Sequence, residues 1–313
     1  MSESELSIDV PQSLAGQRID RVVALLLEVS RNVANEVLAE ELVSIDGAVV
    51  VKPSFRVELG QVVTMPATVE PTEIEPDHSV DVDVVFEDEH VIVVDKPAGL
   101  VVHPGAGVAT GTLVQGVLAR YPEIASVGQR GRPGIVHRLD KGTSGLLMVA
   151  RSPLAYTSLT EQLRDRLVKR RYLALVQGEP QSQHGVIDAP IGRSLRHPTR
   201  QAVRPDGKHA RTAYEVLERF DVDGTALALL RFELETGRTH QIRVHADAIG
   251  IPLVGDDRYG DRRPPVVEVQ RPLLHAMTLG FERPLGEWSE FTSPLPDDFT
   301  RVLRHLGSSF PSG

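Results

Sequence analysis

The chain has 313 residues, 41% apolar and 25% charged, enough for two domains and at least one sizeable core, which excludes a disordered tail, a collagen and a miniprotein. It has no cysteine, so disulfides, thiolate zinc sites, iron–sulfur clusters and a cysteine nucleophile are excluded together. The formal net charge is −9 but unevenly spread: residues 1–90 hold 5 Lys and Arg against 19 Asp and Glu, whereas 120–211 hold 17 against 7.

The start, MSESELSIDV, is acidic where a signal peptide is basic, and aliphatic runs such as Val22 to Leu27 are too short to span a bilayer, so a soluble, cytoplasmic protein is expected. From Leu14 to Met65 the pattern is a small module. Arg18-Ile19-Asp20 opens a helix that buries Val22, Val23, Leu26 and Leu27. A second helix, capped by Ser30, buries Val33, Val37 and Leu38. Asp46-Gly47 is a hairpin turn between Leu42 to Ile45 and Ala48 to Val51, and a last strand runs over Arg56 to Met65. Residues 66–80, with Pro66, Pro71 and Pro76 among acids, read as a linker.

A second domain is expected over 81–306, with strands at Val82 to Phe86, Val91 to Val94, Lys169 to Val176 and Leu227 to Glu235. Helices are expected at 112–120, 153–167 and 239–249. Tyr172, Ala174 and Val176 share one face of their strand. Strands and helices mix without a βαβ rhythm, so the expected class is α+β, and Gly307 to Gly313 read as a frayed tail. Three basic clusters fall in this part: Arg130, Arg132, Arg138 and Lys141; Arg164, Arg166, Lys169, Arg170 and Arg171; and Arg193, Arg196, Arg200, Arg204, Lys208 and Arg211. Gathered on one face they make a phosphate-binding stripe; otherwise they are solvated faces pairing with the acidic N-terminal part.

Two glycine-rich stretches fail as nucleotide sites. Gly105-x-Gly107-x-x-x-Gly111 is one residue too long for a dinucleotide fingerprint, and Gly128 to Gly134 is not followed by Gly-Lys-Ser/Thr, so no nucleotide cofactor is expected. His240 and His245 are five apart and are expected to cap or pack locally rather than bind zinc; no metal site is expected.

Gly134 to Ala150 differs in kind. An apolar strand runs into His137-Arg138-Leu139-Asp140, then Lys141-Gly142-Thr143-Ser144-Gly145, then a second apolar strand, which puts one carboxylate among cations and hydroxyls. This segment resembles the signature of the RluA/RluD family of RNA pseudouridine synthases. Val93 to Pro104, Arg171 to Val176 and Glu235 to His245 resemble three further motifs of the family, in its order. The N-terminal module resembles the S4 RNA-binding domain. Arg196 to Thr199 and Leu274 to Ala276 fit the subgroup acting on large-subunit ribosomal RNA.

The resemblance implies a catalytic domain built on a mixed, mainly antiparallel sheet flanked by helices, and an isomerisation in which uracil leaves the ribose at N1 and rejoins through C5. No cofactor is needed. Asp140 is the implied carboxylate, attacking C1′, stabilising positive charge there or taking the C2′ proton. Arg243 is the implied ion-pair partner that orients it. Tyr172 lies against the extruded base as proton acceptor for C5, and Arg138 fills the gap the flipped base leaves. His137, Lys141, Thr143 and Arg238 of the motifs, with Arg164, Arg166 and Arg170 of the second cluster, are expected to bind the RNA. The expected partner is ribosomal RNA, not a membrane, and the chain is expected to act as a monomer.

One departure is the S4-like module itself. Glu28, Glu36, Glu40 and Glu41 dominate, and its cations are Arg18, Arg21, Arg31, Lys52 and Arg56, which leaves positioning or a narrow strip through Arg31, Lys52 and Arg56. Two readings of other classes stand beside the isomerase. One is a silent RNA-binding or ribosome-assembly factor, for which Asp140, Tyr172 and Arg243 have no use. The other is a glycosidic hydrolase, which needs a second carboxylate beside Asp140.

Overall fold

The computed structural model describes residues 5–29, 31–68, 74–105, 108–129, 131–197, 199–260 and 267–310. Ser30, Arg130, Pro198, Gly107 and the middle of the expected linker lie outside them. The chain divides into two compact units, Met1–Glu73 and Ile74–Gly313.

The small unit contains β1 (Glu5–Asp9), α1 (Ile19–Leu26), α2 (Arg31–Ala39), β2 (Ser44–Ile45), β3 (Ala48–Val49) and β4 (Val62–Pro66). The strands lie side by side as β1, β4, β2 and β3. The helices place Ile19, Val22, Val23, Ala34, Val37 and Leu38 on Val43, Ile45, Val63 and Met65 of the sheet side. Asp46 and Gly47 both take positive φ, 51° and 81°, as the tight turn between β2 and β3 requires. Two expectations change. Glu5–Asp9 forms a strand against β4, ahead of the start expected at residue 14; its acids left only Leu6 and Ile8 to signal it. The extended run from Arg56 shrinks to β4, because Val57 turns inward as a core residue before the chain bends at Gly60.

The large unit runs β5 (Val84–Glu87), β6 (Val91–Lys96), α3 (Leu113–Arg120), β7 (Gly128–Gln129), β8 (Arg132–Pro133), β9 (Ser144–Ala150), α4 (Pro153–Arg164) and β10 (Lys169–Gln177). It continues with β11 (His184–Asp188), β12 (Ile191–Arg193), β13 (Gln201–Val203), β14 (Arg211–Val222), β15 (Thr225–Leu234), α5 (Gln241–Ala248), β16 (Leu274–Arg283), β17 (Glu287–Thr292) and α6 (Asp297–His305). Its main sheet orders β11, β14, β15, β10, β16, β9, β6 and β5, with β17 also pairing β16. Every pairing in it is antiparallel except β9 with β16, so the sheet is mixed and mainly antiparallel.

Both faces of this sheet are covered, which is why β9 reads as a continuous apolar run rather than an alternating one. On one face Leu147, Val149, Tyr172, Ala174, Leu230 and Phe232 meet α3 and α5. On the other, Leu146 and Met148 meet Ala155 and Leu159 of α4, while Leu173, Leu175 and Leu229 meet Phe299 and Val302 of α6. The parallel seam pairs Ser144 with His275 and Gly145 with Ala276. Gly145 has φ 108°, and a Cβ there would meet the Ala276 carbonyl oxygen at 2.3 Å, so only glycine lets β16 close on this strand.

The expected linker and tail also change. Ile74 and Val80 pack against the large unit's core, so the chain beyond Glu73 belongs with that unit. The end is not frayed through Phe310: the Ser308 and Ser309 hydroxyls donate to Glu218, and Phe310 joins the core under α6. A Ser-Ser-Phe end without periodicity carried no sign of this in the sequence.

Candidate active site

Asp140 ends the approach to β9. Its carbonyl accepts from Thr143 N at 3.0 Å, a tight turn that sets the carboxylate at the head of the parallel seam. Beneath the turn, the fully buried Lys96 donates from Nζ to the carbonyls of Pro97 at 2.7 Å and Leu100 at 2.9 Å. Burial pushes its amine down to about 7, although the Asp140 charge opposes this.

The sheet order β9, β16, β10 brings the second element alongside. His275 pairs with Ser144 on one side and Leu173 on the other, which brings Tyr172, the residue before Leu173 in β10, near the Asp140 turn. The register slips at Met277, opposite the Arg171–Tyr172 step, a bulge of the kind that re-aims side chains at a site. Arg170 and Tyr172, two apart on the strand, both line one cavity. Arg170 is buried and donates from Nη2 to the Glu235 carbonyl at 3.2 Å; Gly237 makes room for it, since a Cβ there would lie 2.7 Å from Nη1.

The third element is α5. Arg243 is buried and holds Asp256 in a fork, Nε to Oδ2 at 2.7 Å and Nη2 to Oδ1 at 2.8 Å, while Nη1 reaches Asp140 Oδ2 at 3.4 Å. Its guanidinium also stacks 5.2 Å from the Tyr259 ring centroid. Burial alone would lower its proton affinity, but the bonds and charge of Asp256, and then Asp140, raise it above the ordinary arginine range.

These elements enclose a cavity of about 500 Å³. Asp140, Tyr172, Arg170 and Arg243 line it with His240, and Arg138, Arg164 and Arg238 stand at its rim. Among the described residues, Asp140 is the one carboxylate lining it. Burial, reinforced by the Asp140 charge, pushes the Tyr172 phenol above its ordinary range, and the Arg170 charge opposes that. Among the described residues no group of three His, Cys, Asp or Glu is placed to hold a metal ion, and no helix is long and apolar enough to cross a membrane.

The other expected RNA contacts divide. Arg138, Arg164 and Arg238 are exposed on the cavity rim, with Arg164 paired to Asp165 and Arg238 donating to the His209 carbonyl at 3.0 Å. Thr143 lines the cavity but is buried. His137 is a support rather than a cationic contact: its Nε2 accepts from Met148 N at 3.1 Å, and burial with the nearby Arg170 charge holds it far below the histidine range. Lys141 is exposed but is not among the lining residues. Arg166 lies outside the cavity lining, 3.8 Å from Glu235. Arg170 cannot be part of an exposed phosphate stripe, because strand alternation turns it inward with Tyr172.

Sequence reasoning missed three residues. His240, expected to cap or pack locally, faces Asp140 across 3.9 Å; its spacing of three from Arg243 was the available signal. Asp256 and Tyr259 had none, since they come from a Gly-Asp-Asp-Arg-Tyr-Gly loop that joins α5 only through the fold.

Residues 90–248 match the RNA pseudouridylate synthase family and residues 17–63 match the S4 domain. A ribosomal large subunit pseudouridine synthase D of Nitrosomonas europaea is 44% identical over 323 residues, covering 97% of this chain and 89% of that protein. The Pseudomonas aeruginosa protein of the same name is 44% identical over 311 residues, covering 95% of this chain and 94% of its own. Among solved structures, human RNA pseudouridylate synthase domain containing 1 superposes with a TM-score of 0.56 at 26% identity, covering 78% of this chain and 100% of that one. The chain therefore belongs to the RNA pseudouridylate synthases, isomerases of uridine to pseudouridine in RNA, and carries an S4 domain ahead of the catalytic one.

Proposed function

We propose that the chain isomerises specific uridines of large-subunit ribosomal RNA in the cytoplasm, with Asp140 as the carboxylate that acts at the ribose. The observation that carries this is the one carboxylate lining the cavity among the described residues, set against the Arg243 guanidinium and sharing the cavity with Tyr172. Attack on C1′ and removal of the C2′ proton both need a carboxylate held in one orientation, and Arg243 supplies the hold. A hydrolase with paired acid and base carboxylates is disfavoured, since the neighbouring Asp256 is fully buried and spends both oxygens on Arg243. A silent RNA-binding factor would gain nothing from a buried tyrosine beside a buried arginine at such a carboxylate.

In this reading the target uridine is flipped into the cavity, the uracil detaches at N1, turns, and bonds through C5. The Tyr172 phenolate, disfavoured by burial and favoured by the Arg170 charge, then takes the C5 proton and becomes the neutral phenol. Arg138, exposed at the rim two residues from Asp140, fills the stack the base has left. The relatives named for the large ribosomal subunit support the choice of RNA. Mass-spectrometric mapping of pseudouridine in total RNA, with the wild-type chain, with Asp140→Asn and without either, tests it. Sites in large-subunit RNA that appear only with the wild type are expected; sites that persist with Asp140→Asn, or none at all, would overturn the reading.

A further inference from the structure

Between the β12–β13 hairpin and Asp140 stand two side chains that the reaction scheme does not use. The Tyr259 hydroxyl accepts the backbone N–H of Gln201, the first residue of β13, at 3.0 Å. It also lies 2.8 Å from His240 Nδ1, the two rings meeting edge to face at 5.6 Å. His240 Nε2 in turn lies 3.9 Å from Asp140 Oδ1, the oxygen that Arg243 does not take.

Counting hydrogens assigns the imidazole. Tyrosine has one proton to give, and the Gln201 N–H already occupies a lone pair of its oxygen. Among the described residues no acceptor other than Nδ1 lies at the hydroxyl. The hydroxyl therefore donates to Nδ1, and a neutral imidazole must carry its own hydrogen on Nε2, the nitrogen facing Asp140. Burial keeps the ring below the ordinary histidine range; Arg243 and Arg258 oppose its protonation and Asp140 and Asp256 favour it.

A second observation comes from the backbone. His240 precedes α5 with φ 57° and ψ 23°, left-handed for a side chain with a Cβ, and its side chain makes no capping bond to the helix. Strained positions of this kind persist where the side chain has another task.

We infer that His240 is a positioning residue for Asp140: its Nε2–H, fixed in place by Tyr259, holds Oδ1 while Arg243 holds Oδ2. The inference rests on Asp140 being the reacting carboxylate. At 3.9 Å the neutral ring points its N–H dipole at the carboxylate from beyond hydrogen-bond length, and the bond closes when substrate fills the cavity, as donor geometry at catalytic groups commonly does. Tyr259 makes the seating of the hairpin on Gln201 a condition of the tautomer.

The test is steady-state turnover and thermal unfolding of the full chain with His240→Gly, →Asn and →Gln, Tyr259→Phe, and Asp140→Asn in parallel. Glycine relieves the left-handed backbone, which offsets the cost of leaving the buried Tyr259 hydroxyl without its acceptor, so His240→Gly is expected to fold, yet to lose tenfold or more in kcat with KM within threefold. Asparagine places its amide near Nδ1 and should be as slow. Glutamine reaches the place of Nε2 and should recover most of the loss. Tyr259→Phe, which frees the tautomer, should fall between. Full kcat in His240→Gly, or glutamine no better than asparagine, overturns the inference. If Asp140→Asn stays active, it is the reading of Asp140 that fails instead; if it is dead while the His240 variants turn over normally, this inference alone fails.

Discussion

Arg243 meets Asp256 through two short hydrogen bonds and Asp140 through one long one. The arginine is therefore anchored by a carboxylate outside the cavity and offered to the carboxylate inside it. Asp256 is itself pinned by the backbone N–H groups of Arg258 at 3.0 Å and Tyr259 at 3.1 Å. A buried cation deprived of its principal partner is costly, so Asp256→Asn should destabilise the larger unit by about 3 kcal/mol, read as a lower unfolding temperature. Arg243→Lys keeps the charge but cannot fork to one carboxylate and reach another. It should lower kcat by more than tenfold while RNA affinity stays within a few-fold. Wild-type turnover in Arg243→Lys would mean that charge alone, and not the anchored fork, serves Asp140.

Tyr172 gives a pH signature. Burial raises its phenol above the ordinary range, so at neutral pH the phenolate is the minor form, and its share grows as pH rises. If the phenolate takes the C5 proton, the rate of that step should climb from pH 7 toward pH 9. Tyr172→Phe should be slow and flat over the same range while still binding RNA. Single-turnover release of tritium from C5 of labelled uridine measures the step directly, and a phenylalanine variant with the wild-type profile would remove the hydroxyl from the chemistry.

The sequence displayed the site one strand at a time. Alternation along Lys169 to Val176 put Tyr172 on the core face, where it is found with Ala174 and Val176. The same alternation applied to Arg170 places it inward too; it was misjudged because three consecutive cations look like a surface. The hairpin at Asp46-Gly47 was legible because a turn of two positive φ angles demands those residue types. Asp256 was not legible, because its meaning depends on a loop far along the chain folding back on α5, and periodicity carries no such long-range information. His240 was visible but undervalued: pair spacing excludes a zinc site and says nothing of the carboxylate across the cavity.

Buried histidines set an acid limit on the fold. His275 donates from Nε2 toward the Ser293 carbonyl, 3.4 Å; burial pushes the ring down to about 4 and so keeps it neutral, and its Nδ1 then accepts from the Ser144 hydroxyl at 3.0 Å. Above about pH 6.5 the folded and unfolded chains both carry it uncharged. As pH falls toward 4, only the unfolded chain takes up the proton, and stability is lost over that window. Between pH 6.5 and 5 the loss from His275 is roughly 2 kcal/mol, at 1.36 kcal/mol per pH unit. His137, His103 and His245 are shifted the same way and add to it. Thermal unfolding of His275→Gln should lose less stability over this range than wild type, and an equal loss would assign the acid sensitivity elsewhere.

The last expectation concerns which cations grip the RNA. Within the basic segment 120–211, Arg170 is buried and so cannot join an exposed stripe, and Arg166 is exposed but stands near Glu235 outside the cavity lining. The exposed cations among the cavity's lining residues are Arg138, Arg164 and Arg238, with Arg132 half-buried beside them. Replacing these three by Gln should weaken binding at all sequences and reduce the log–log salt slope by roughly 2, because each lost phosphate contact removes about 0.7–0.9. In the small unit, Arg18 and Arg31 both pair with the buried Asp20, at 2.9 and 2.6 Å, so much of their charge is already answered. Burial opposes the ionised Asp20, and the two arginines outweigh it, holding the carboxyl below its usual range. Arg18, Arg21 and Arg31 changed together to Gln should therefore alter the slope by less than about 1, while destabilising the small unit by stranding that carboxylate. Titrations of RNA binding at four or five salt concentrations compare the two triple variants, with circular dichroism to check that the small unit remains folded. A larger loss of slope from the folded N-terminal triple would mean that the S4 domain's short cationic edge, and not the rim of the catalytic cavity, carries the electrostatic part of the binding.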